Sequence, residues 1–159
     1  MGDCDWNGIG LEVYRAGGLL RRDVSIDYVA AFGGGLLAYL ATPYSGHCRD
    51  AQGAFLRVQS INCIHAAAFW QRRLAVRGLT AVSPVVHRGL IVEADQGCAT
   101  VDPLDGDFWH AWQMPMLRKS DLVVVPPVAG WDRSRGVWRA AIAALRAQVP
   151  VLLIRGAEA

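Results

Sequence analysis

Short apolar runs closed by turn residues alternate along this chain with longer stretches in which apolar positions recur every three or four residues. The clearest run is Leu36-Leu37-Ala38-Tyr39-Leu40-Ala41, and it stops at Thr42-Pro43-Tyr44-Ser45. An apolar run of this length bounded by turn residues predicts a buried strand. Pro43 has no amide hydrogen and holds Thr42 extended, so the strand ends there. The same pattern predicts strands at residues 79–83, 121–126 and 150–154. Leu122-Val123-Val124-Val125 is β-branched and apolar enough to be covered on both faces.

Helical spacing fills the intervals. In residues 50–77, Phe55, Val58, Ile61, His65, Ala68 and Phe69 form a stripe, with Asp50 placed to cap the start and Gly78 the end. His65 on that stripe is expected to be a core histidine. Residues 85–106 read as a long connection with little pattern. A helix is expected from about Phe108, interrupted near Pro115 and finished before Asp121. Residues 137–147 read as a helix with Trp138, Ile142 and Leu145 on one face. Strands alternating with helices predict an α/β fold, a three-layer sandwich around a mainly parallel sheet. Residues 1–35 are less legible. Residues 11–14 suggest a short strand, residues 21–29 a strand or a helical turn, and Gly33-Gly34-Gly35 a break. This segment reads as an N-terminal extension, in part disordered, to a domain over residues 36–159.

A chain of 159 residues suits one domain, and 53% hydrophobic against 19% charged residues leaves enough apolar material for a core. A net charge of +2 is too small to argue for a DNA or RNA polymer or an anionic membrane. Lys119 is the only lysine. The arginine excess suits phosphate recognition, though a coding bias explains it more simply. Cys4, Cys48, Cys63 and Cys98 lack metal-ligand spacing, so no metal or cofactor is expected. With no signal peptide or membrane span legible, the expectation is a cytoplasmic protein with free thiols.

In open α/β sheets ligands bind beyond the carboxyl ends of the strands. That places Tyr39, Thr42, Pro43, Tyr44 and Ser45 in a candidate binding wall, with Arg49 in the loop that follows. Ser134-Arg135-Gly136 opens the last long helix. Ser134 is a good N-cap, Gly136 admits a ligand close to the backbone, and the helix start favours an anion. An ordinary capped helix would look the same. Asp102, Asp105 and Asp107 are candidates for catalysis, metal ligation or simple capping. His47, His87 and His110 lie where they could reach the same cleft. Trp109, Trp112 and Trp131 could stack on a base or merely pack.

The segments YLATPYS, VSPVVH, DPLDGDFW, MPMLRKSDLVVV, GWDRSRGV and PVLLI occur in that order. Together they resemble the nucleoside 2-deoxyribosyltransferase superfamily over about residues 36–155, and most of all a poorly characterised bacterial and phage branch of it. The resemblance implies a flavodoxin-like sandwich and a site for a nucleoside or nucleoside 5′-monophosphate. It also implies a homodimer or higher oligomer, with Phe69, Trp70 and Trp112 available for burial. Related members cleave the N-glycosidic bond or transfer the sugar to another base.

Two departures stand out. The superfamily's nucleophilic glutamate follows the serine of the S-x-G loop by six residues, and here that position is Ala140. No acid occurs between Arg133 and Gly156. A second family carboxylate precedes the aspartate of the third strand by eight residues, and here that position is Gln113. N-glycoside cleavage builds positive charge on the sugar, which a carboxylate stabilises or bonds while an acid handles the proton. Alanine does neither, and glutamine does not take up a proton near neutral pH. The expected function is therefore nucleotide binding with glycosidase activity lost or much reduced. The alternative is an active enzyme using relocated groups, with Asp105, Asp107 and His110 as candidates.

Overall fold

The computed structural model describes residues 4–95 and 97–156. Five strands form one sheet: β1 (Leu20–Val24), β2 (Leu37–Leu40), β3 (Thr80–Val82), β4 (Leu122–Val125) and β5 (Val151–Ile154). Their spatial order is β1-β5-β4-β2-β3, and every pair is parallel. The helices are α1 (Glu12–Ala16), α2 (Ile26–Phe32), α3 (Arg57–Ala75), α4 (Pro84–Ala94), α5 (Gly106–Lys119) and α6 (Arg135–Arg146).

Alternation along the strands explains the two cores. Tyr39, Ala41, Val123, Val125, Val151 and Leu153 point to one face, where they meet Leu117 of α5 and Val137, Ala141, Ala144 and Leu145 of α6. Ala38, Leu40, Leu122, Val124, Leu152 and Ile154 point to the other, against Ile26 and Val29 of α2 and Trp70 and Leu74 of α3. Helices therefore cover both faces, as continuous apolar strands require. The order β3-β2-β4-β5 followed by a fifth parallel strand is the flavodoxin-type arrangement. Here that fifth strand is β1, supplied from the amino-terminal side.

The segment before residue 36, set apart in the sequence, thus contributes an edge strand and a helix to the domain. Leu20 pairs with Val151 and Val24 with Ile154. Trp6, Leu11, Leu20, Ile26 and Val29 are all buried. The short strand suggested for residues 11–14 is instead largely helical, with α1 running from Glu12 to Ala16.

Other local expectations are corrected. Asp50 does not cap α3. Its carboxylate accepts the amides of Gln52 and Ala54 in a turn completed by Gly53 at φ +88°, and α3 starts at Arg57. Four of the six residues of the expected stripe face out: Val58, His65, Ala68 and Phe69 are exposed and Phe55 and Ile61 half-buried, whereas Ser60, Ala67, Trp70 and Leu74 are buried. Trp70 is therefore a core residue and not available to an interface. The supposed long connection after β3 is largely helix α4, opened by the buried Ser83, whose hydroxyl accepts the Val86 amide at 3.3 Å. Helix α5 runs on through Pro115 without interruption. Among the described residues no helix is long and apolar enough to cross a membrane.

Candidate functional site

The chain turns to opposite sides after β2 and β4, because β2 is followed by β3 on one flank and β4 by β5 on the other. The adjacent carboxyl ends of β2 and β4 are thus the switch point of the sheet, where such folds leave a crevice. A cleft of about 740 Å³ lies there. That size falls within the range of small-molecule sites.

Many of the positions singled out in the sequence line this cleft: Tyr39, Thr42, Pro43, Tyr44, Ser45 and Arg49 from β2 and its loop; Asp105, Asp107, His110 and Gln113 from α5 and its cap; Ser134, Arg135, Gly136 and Ala140 from α6; Asp102 is not among them. Residues nearly 100 apart in sequence converge because β2 and β4 are neighbours, with Tyr39 in register with Val123. His47 also lines the cleft, as do Arg133 and Arg139. His87 does not: its Nδ1 lies 2.7 Å from the Ser83 carbonyl of its own helix. Of the tryptophans, Trp109 reaches the cleft, while Trp112 stacks edge-on against Trp109 and Trp131 packs on Trp6.

The wall after β2 is held firmly. The Tyr44 hydroxyl and Ser60 Oγ of α3 are 2.6 Å apart, and the Leu56 amide donates to the Cys48 carbonyl at 2.8 Å. Burial pushes the phenols of Tyr39 and Tyr44 above their ordinary value, so both stay protonated at neutral pH. Opposite, Gly130 adopts φ +76° in the loop between β4 and α6. A Cβ on Gly130 would come within 2.8 Å of His47 Nε2, so the two loops that bound the cleft touch.

At α6, Ser134 Oγ accepts the Val137 amide at 3.4 Å. The first amides of a helix have no intrahelical partner, so those of Arg135 and Gly136 are open to an anion. The three aspartates divide their duties. Asp102 holds its own turn by accepting the Leu104 amide, and Asp105 caps α5 by accepting the amides of Asp107 and Phe108. Asp107 has a side chain 96% exposed and lies 3.6 Å from Arg139. His110 Nδ1 is buried without a partner. Burial, and then the nearby Arg139 charge, hold its imidazole below the ordinary value, against the opposite pull of Asp107.

Sequence reading missed Arg88. It lies in α4, inside the region taken for a loop, and is only 8% exposed. Its guanidinium carbon is 4.2 Å from the Tyr44 ring centroid and 4.9 Å from that of Trp109. It donates to Ser45 Oγ at 3.1 Å and to the Pro103 carbonyl. The available signal was Ser83-Pro84, since serine followed by proline is also a helix start.

Buried polar atoms are almost always satisfied. Among the described residues four buried side-chain atoms lack a partner, and three of them, Thr42 Oγ1, Arg88 Nε and His110 Nδ1, belong to residues of this cleft. Ala140 and Gln113 also line the cleft, with a methyl group and an amide.

A family model described as a domain of unknown function (DUF1937) matches residues 37–155. No curated protein and no solved structure matches the chain.

Proposed function

We propose that this chain, which belongs to the DUF1937 family, binds a nucleoside or nucleoside 5′-monophosphate in the switch-point cleft and has lost most or all N-glycosidase activity. The observation that carries the reading is the set of unpartnered polar atoms on Thr42, Arg88 and His110, all lining one cleft. Such atoms cost free energy when left unpaired, and a polar ligand seated against these residues would satisfy them after small side-chain shifts. The 5′-phosphate would lie on the amides of Arg135 and Gly136 with the Ser134 hydroxyl, where the helix start supplies partial positive charge. Arg49 and Arg135, which also line the cleft, would neutralise it. The base would pack among Tyr39, Tyr44 and Trp109.

Absence of turnover follows from the side chains present. Ala140 cannot bond to the anomeric carbon or stabilise its charge, and Gln113 cannot deliver a proton. The relocated candidates fit poorly. The Asp105 carboxylate is committed to the α5 cap, and Asp107 is almost fully solvated. A buried nucleophile pressed against a sugar has neither environment. The protein therefore reads as a sensor, a sequestering protein or a regulatory subunit, acting as a homodimer in keeping with the superfamily it resembles.

A thermal-shift screen of nucleosides and nucleoside 5′-monophosphates, followed by chromatography for free base, tests both halves. Stabilisation by at least one compound without base release is the expected result. Rapid base release would replace the binding role with an enzymatic one.

A further inference from the structure

We propose that the cleft takes a ligand with two separated anionic groups, the second of them a phosphate or carboxylate seated on Arg88. This rests on the nucleotide reading above and adds a second charged end to the ligand.

Arginine is rarely this buried without a charged partner. Among the described residues no carboxylate lies within ion-pair distance of its guanidinium. Asp102 and Asp105 act on it only through space, and their carboxylates already accept backbone amides. Its protein partners are neutral: a hydroxyl, a carbonyl and two aromatic faces. Those faces orient the guanidinium and exclude water from it, yet supply no counter-charge. Nε remains unpartnered. Desolvation pushes the guanidinium down to about 10, which still leaves it charged at neutral pH. A buried, oriented cation whose Nε lacks a bond has no directly bonded anion among the described residues, and arginine matches phosphate and carboxylate in fork geometry. Ser45 Oγ accepts from Arg88, so its own proton is free for the same anion.

The 5′-phosphate does not fill this role. The 5′-phosphate seat is built by the start of α6 beyond β4, whereas the Arg88 guanidinium is held on Ser45 and Pro103, in the loops after β2 and before α5. The ligand class is therefore a nucleotide with a second phosphate or a carboxylate at its far end.

The probes are inorganic phosphate and malonate, titrated by thermal shift at constant ionic strength, which separates the two anion chemistries. Both should stabilise the wild type. Arg88→Gln should weaken the tighter of the two at least tenfold, and Arg88→Lys, which keeps a charge but loses the fork, should fall between. Ser134→Ala should lower nucleoside 5′-monophosphate affinity instead. Should Arg88→Gln fail to fold, the lysine variant carries the comparison. Unchanged anion response in the folded Arg88 variants overturns the proposal, even if nucleotides bind. Anion response lost with Arg88 while no nucleotide binds supports the anion site and removes the nucleotide reading.

Discussion

The indole Nε1–H of Trp6 donates to the Asp132 carbonyl at 2.9 Å, joining residues 126 apart in sequence. The Trp6 ring also packs against Trp131 and Trp138, with centroids 5.1 and 5.0 Å away. The amino-terminal segment thus braces the loop that leads into Ser134. Trp6→Ala should destabilise the fold by about 3–5 kcal/mol, as for other large buried aromatics. It should also weaken ligand binding, although Trp6 is not part of the cleft wall. Denaturant unfolding and a nucleotide titration on the same variant check both effects.

Gly130 has a positive φ and no room for a Cβ beside His47. Gly130→Ala should cost about 1–3 kcal/mol through backbone strain alone, and the clash with His47 pries the two loops apart. Gly46→Ala, where an added Cβ meets nothing within 4 Å, is the control in the same denaturation series.

The pH response should carry the signature of His110. Its folded imidazole takes up a proton less readily than the unfolded one, whose ordinary value is 6.5. Stability from this group is complete above about 6.5 and falls as pH drops through the lower folded value. His110→Gln should flatten that part of the profile, measured as the unfolding midpoint between about pH 7 and pH 5. Bound phosphate should oppose the loss, because an anion nearby favours the imidazolium.

Restoring the acids tests whether the scaffold kept its geometry. Ala140 is 2% exposed and belongs to the core as well as the cleft wall, so Ala140→Glu must send its carboxylate into the cleft. Overpacking there costs about 1–3 kcal/mol. With Gln113→Asp, base release should rise above the wild-type level in a chromatographic assay. A folded double variant that binds nucleotide but releases no base would show that the reacting groups are misaligned.

What was legible depended on how locally each element declares itself. Strands β2, β3, β4 and β5 are short apolar runs between turn signals, and their alternation with helices made the fold legible. The convergence of Tyr39, Asp105 and Ser134 was legible because strand ends in a parallel sheet share one edge. Strand β1, by contrast, reads Leu-Arg-Arg-Asp-Val, an edge strand with one buried residue and no apolar run. Helix α3 misled because its buried face is built from Ser60 and Ala67 as well as Trp70 and Leu74, while Val58 and Phe69 lie in solvent. Those exposed side chains are the ones a second copy would cover. Light scattering at micromolar concentration should give a dimer that Phe69→Asp dissociates.

Calorimetric titration of the unmodified protein with nucleoside 5′-monophosphates, with the same samples then separated by chromatography, tests the central claim most directly. The expected result is saturable binding with the nucleotide recovered intact, weakened roughly tenfold or more by Ser134→Ala, as loss of a charge-assisted hydrogen bond requires. No binding by any nucleotide, or free base in place of the nucleotide, would contradict it.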